Sequence, residues 1–93
     1  MKHNGFTLTA SYGHYANKQP RIQLYDVDDG CPYATASVEL EQPLLDGEIA
    51  IKDYSENEGI LDMLVEHGVV DKPHRFANSG FVTIPICMLK KGV

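Results

Sequence analysis

Apolar and polar residues alternate from Gly5 to Tyr15: Phe6, Leu8, Ala10 and Tyr12 fall on one side, Thr7, Thr9 and Ser11 on the other. That two-residue period is the signature of a half-buried strand. Ala16–Pro20 interrupts it as a turn, and alternation resumes from Arg21 to Val27, with Ile22 and Leu24 facing inward. Asp28-Asp29-Gly30 follows, and Asp-Gly predicts a tight hairpin with positive φ at both central positions. The returning strand is predicted over Tyr33–Leu40, with Ala34, Ala36, Val38 and Leu40 inward and Thr35, Ser37 and Glu39 facing solvent. The small alanines leave room for a helix to cross the sheet. A loop ending in Asp46-Gly47 leads to a short strand, Glu48–Asp53, with Ile49 and Ile51 inward.

The period then changes. Ile60, Leu61, Leu64, Val65 and Gly68 recur at spacings of three and four, which predicts a helix over about Glu56–His67. Ser55 followed by Glu58 matches a capping box. Glu56 and Glu58 suit the positive end of the helix dipole, and Gly68 suits the C′ position. Asp71–Gly80 is expected to be a loop, and Phe81–Leu89 a final apolar strand in which Pro85 predicts an edge position or bulge. The expected architecture is one α+β domain spanning residues 1–93. It has a mostly antiparallel sheet of about five strands with one helix packed on one face, in the order ββββαβ.

Composition narrows the functional classes. The longest apolar run, Val82–Leu89, is too short to span a bilayer, and no signal-peptide pattern opens the chain, so a cytoplasmic location is expected. Cys31 and Cys87 are too few and too far apart for a C-x-x-C motif or a disulfide framework. All thirteen acidic residues fall between Asp26 and Asp71, where Lys52 is the single base, so this segment carries a formal charge of −12. Lys2, Lys18, Arg21, Lys72, Arg75, Lys90 and Lys91 all lie outside it. Such segregation bears on partners rather than on fold.

Candidate chemistry is sparse. Asp26-Val27-Asp28-Asp29-Gly30 departs from a calcium loop, because Gly30 falls at the fifth position and Ser37 at the twelfth. His3, His14, His67 and His74 form no H-x-x-x-H pattern, and no cofactor or metal site is expected. Asp28 and Asp29 beside Cys31 would raise its thiol pKa and oppose nucleophilic use. The basic footprint is too thin for direct nucleic-acid binding. A carboxylate surface remains: Asp28 and Asp29 at the hairpin tip, Asp53 and Glu56 at the helix entry, and Glu58, Asp62 and Glu66 in line along one helix face. Presented to a basic groove, these carboxylates would stand in for phosphates, and Tyr25, Tyr33 and Tyr54 would supply aromatic anchors.

YDVDDGCPYATASVEL, EIAIKDYSENEGILDMLVEHGVV and SGFVTIPIC together resemble a small uncharacterised family of bacterial mobile elements and phages, over roughly residues 6–89. The resemblance carries no catalytic residues. It implies a non-enzymatic inhibitor of host defence, of anti-CRISPR type, whose partner is a basic nucleic-acid-handling host protein such as a CRISPR effector complex. The competing expectation is a small regulatory or structural domain that forms a homodimer through the edge strand around Pro85.

Overall fold

A computed structural model describes residues 1–90; Lys91 lies outside the described residues. The described residues form seven strands and one α-helix: β1 (Lys2–His3), β2 (Phe6–His14), β3 (Pro20–Asp26), β4 (Pro32–Thr35), β5 (Glu48–Ala50), α1 (Ile60–Glu66), β6 (Arg75–Ser79) and β7 (Val82–Met88). The α+β class and the antiparallel pairing are as expected. The single five-stranded sheet is not: the strands form a four-stranded sheet, β1-β2-β3-β4, and a three-stranded one, β5-β7-β6.

Ser37 explains the split. Its hydroxyl accepts the Ile22 N–H at 3.0 Å, taking the place of a ladder carbonyl, and Ser37 itself is buried rather than solvent-facing. Ala36 N–H still donates to the Ile22 carbonyl, and beyond that bond the backbone pairs with the other sheet. Ser37 bridges Ile51, Val38 donates to the Ala50 carbonyl, and Lys52 donates to the Ala36 carbonyl. The strand predicted over Tyr33–Leu40 is cut at this junction.

In the second sheet β5 and the centre of β7 are buried on both faces. Ile49, Ile51 and Cys87 join the main core with Leu8, Ile22, Leu24, Ala36, Ile60, Met63 and Leu64. Ala50, Ile84 and Ile86 pack with Leu40 in a second cluster behind. Truncating one of these fully buried side chains costs about 2–5 kcal/mol. Burial on both faces accounts for the apolar run of residues 84–87 in β7, which lies at the centre of its sheet. Pro85 is thus not at an edge. It accepts from the Ile51 N–H and lacks the donor that would answer, at the point where β5 has already ended and Ile51 turns to Ser37. The real edge is β6, whose sequence RFANS is too polar and irregular to show a strand period.

The helix is shorter than its pattern. Ser55–Asn57 forms a single 3-10 turn, and α1 begins only at Ile60. The expected capping box is absent: Ser55 has a φ of 56° and no side chain caps the 3-10 turn. Asp53 does the capping instead. Its Oδ1 accepts from the N–H groups of Gly59 at 3.1 Å and Leu61 at 2.9 Å. The other end is as expected and fuller. Gly68 (φ 69°) donates to Val65 and Val69 donates to Leu64, the two bonds of a Schellman motif.

The Asp-Gly hairpin is also longer than predicted. Only Gly30 has positive φ, and residues 27–31 form a loop closed by Gly30 N–H to Asp26 C=O at 2.8 Å.

Candidate functional site

The structure sorts the acidic residues into three groups. In the first, carboxylates are spent on backbone. Asp53 caps α1, and Asp26 and Asp29 accept from the Asp28 and Cys31 N–H groups within the hairpin loop. In the second, they are neutralised. Glu56 pairs with Lys52 at 2.7 Å, Asp71 with Lys90 at 3.4 Å, and Glu48 with Arg75 and His74. Arg75 and Lys90 come from outside the acidic segment, so folding brings base to acid that the linear charge map keeps apart.

The third group is presented to solvent. Asp28, Glu39, Glu41, Asp46, Glu58, Asp62 and Glu66 are exposed, as is Asp29 in spite of its bond within the loop, and among the described residues no Lys or Arg pairs with them. They do not form the expected continuous line. Glu58 lies before the helix, at a φ of −54° and ψ of 128°, so only Asp62 and Glu66 share a helical face. Asp28 and Asp29 occupy the β3–β4 loop tip. That tip is joined to the helix entry by a chain of contacts. Val27 donates to the Thr7 carbonyl, Phe6 packs on Tyr33, and Tyr33 meets buried His3, whose Nε2 donates to the Glu58 carbonyl at 2.7 Å.

The three tyrosines are less available than expected. All are half-buried. The Tyr33 hydroxyl lies 2.7 Å from His3 Nδ1, a hydrogen bond that ties this ring into the fold. Tyr54 packs against the second apolar cluster with the Lys52 ammonium 5.6 Å from its ring centre. Among the described residues no hydrogen bond engages the hydroxyl of Tyr25 or of Tyr54.

Beside α1 the stripe predicted as core is divided. Ile60 and Leu64 are buried, joined by Met63 from outside the stripe, whereas Leu61 and Val65 are only partly covered. With Pro73 and Phe76 they line a groove of about 460 Å³, which Asp62, Glu66 and Lys72 also border. Phe76 is 63% exposed on the outer face of the β6 edge.

Glu48 is the residue that sequence reasoning passed over. It was predicted merely to open a strand, yet it is 1% exposed. Oε1 accepts from Leu45 N–H at 2.7 Å and Arg75 Nη2 at 2.8 Å; Oε2 accepts from Arg75 Nε at 2.9 Å and His74 Nε2 at 2.5 Å. The Arg75 guanidinium drives its pKa well below the usual carboxylate range, against the opposing effect of burial, with His74 and the Leu45 amide assisting. A general base works best with a pKa near the operating pH and a free lone pair, and Glu48 has neither. Its role is to anchor the 45–48 turn to the start of β6. The signal in the sequence was weak: a Glu two residues before buried Ala50, and a His-Arg pair opening an unrecognised strand.

The cysteines are both free, Cys31 exposed and Cys87 buried. The carboxylate of Asp29 raises the Cys31 pKa, with Asp26 adding to it, while burial pushes Cys87 up to about 11. Among the described residues no group of three or more His, Cys, Asp or Glu side chains could hold a metal ion, and no helix is long and apolar enough to cross a membrane. Comparison with family models, curated proteins and solved structures finds no match.

Proposed function

We propose that this protein is a non-enzymatic acidic interaction domain that occupies a basic, nucleic-acid-handling surface of another protein. The observation that carries this reading is the third group of acids. Asp28 and Asp29 are exposed in the β3–β4 loop and Asp62 and Glu66 on α1, with no Lys or Arg against them among the described residues. Ionised carboxylates held in this way attract Lys and Arg and speed association in a salt-dependent manner. The family resemblance makes a CRISPR effector complex the first partner to test.

The test is competition. Labelled target DNA is bound to a purified effector–guide complex and challenged with the wild-type protein and with a D28K/D29K/D62K/E66K variant. Displacement by the wild type, lost in the variant and weakened by salt, is the expected result. Equal competition by both proteins would sink the carboxylate surface, and no displacement from any effector type would sink the CRISPR assignment.

A second reading, self-association, draws on β6 rather than on Pro85. This edge strand carries exposed Phe76, and Phe81 is exposed in the adjoining turn. Uncovered edges are templates for pairing. Light scattering across a concentration series decides: a dimer favours this reading and a monomer throughout removes it.

A further inference from the structure

The groove beside α1 combines two features that the charge map does not. Its floor is apolar: Leu61 and Val65 lie one turn apart on α1, and Pro73 and Phe76 complete it. Its rim is acidic, because Asp62 and Glu66 accompany that pair one position later, against the single ammonium of Lys72. On a helix these two carboxylates rise about 6 Å apart. That spacing matches Lys or Arg side chains one turn apart on an opposing helix.

We infer that this groove docks a basic amphipathic segment of a protein partner, an inference that rests on the acidic-surface reading above. A bulky apolar side chain seats among Leu61, Val65 and Phe76, while two flanking Lys or Arg side chains meet Asp62 and Glu66. The sign of the rim selects a cationic occupant, and the floor selects one that is more than cationic. A purely polar basic surface would leave Phe76 in water. A second copy of this chain is a poorer complement, because it carries the same net charge of −5 and three of its bases, Lys52, Arg75 and Lys90, are already paired with Glu56, Glu48 and Asp71. Carboxylates alone steer an encounter; the apolar floor slows its dissociation.

Two labelled peptides of equal length and charge test this, one with Lys and Leu in an amphipathic helical register and one with Ser in place of Leu. Binding is followed by amide chemical shifts of the isotope-labelled protein. The Lys–Leu peptide should bind about tenfold tighter or more, as burial of one large apolar side chain allows. Its largest shifts should fall at Leu61, Val65 and Phe76. Phe76→Ser, at an exposed edge position, should remove the advantage without unfolding the chain, and Asp62→Asn with Glu66→Gln should weaken both peptides. Equal affinities, with shifts spread to Asp28 and Asp29, would overturn the groove and leave the acidic-surface reading standing. No binding of either peptide would overturn both. Concentration-dependent shifts at the groove without peptide would assign it to a second copy and overturn the proposal.

Discussion

Glu48 and the Asp62–Glu66 pair carry the same functional group and do opposite work. Glu48 is enclosed by four donors and holds a turn against β6. Asp62 and Glu66 stand at the rim of a groove with no Lys or Arg paired to them among the described residues. The difference lies in what each position can see. Glu48 begins a strand buried on both faces, where a charge survives only if every lone pair is met. The helix pair faces water, where an unpaired carboxylate costs little and remains available. A carboxylate's burial and neighbours, not its place in an acidic run, decide whether it serves the fold or a partner.

That contrast can be broken from the Glu48 side first. Glu48→Ala should cost about 2–3 kcal/mol, below the usual figure for a split buried pair because Arg75 and His74 are partly exposed and can rehydrate. Denaturant unfolding measures it. The pH dependence sharpens the same point. A carboxyl whose folded pKa is depressed stabilises fully above its unfolded value, about 4.3 for Glu, and loses that contribution as pH falls toward the folded value. Glu48→Gln should therefore flatten the acid limb of the stability profile below about pH 4. An unchanged acid limb would remove Glu48 from the account of acid sensitivity.

Asp53 is the intermediate case, an acid of the helix entry whose charge meets backbone rather than a cation. Asp53→Ala should cost about 1 kcal/mol, as loss of a helix cap does, with amide exchange quickening first at Gly59 and Leu61. Ser55→Ala should cost far less, since Ser55 caps nothing. Equal effects would restore the capping box. The smallest change belongs to the exposed pair: D62K/E66K should move stability by less than about 0.5 kcal/mol while changing peptide binding. A large loss of stability there would place these residues with Glu48.

Local pattern alone determined a good deal. Strict alternation placed β2 and β3 and buried Ile22 and Leu24; a three-and-four spacing placed α1, and Gly68 closed it. These features depend on neighbours a few residues apart, and a chain carries that information directly. The acidic segment was equally plain as composition. What composition lacks is distance. Only the tertiary structure brought Arg75 to Glu48, Lys90 to Asp71 and the Asp53 carboxylate to amides six and eight residues ahead. It also split one expected sheet into two by letting a Ser37 hydroxyl replace a carbonyl, and it made an edge of polar β6 while enclosing β7. Each of those outcomes turns on which groups compete for a donor once the chain has closed on itself, and that competition has no periodicity to read.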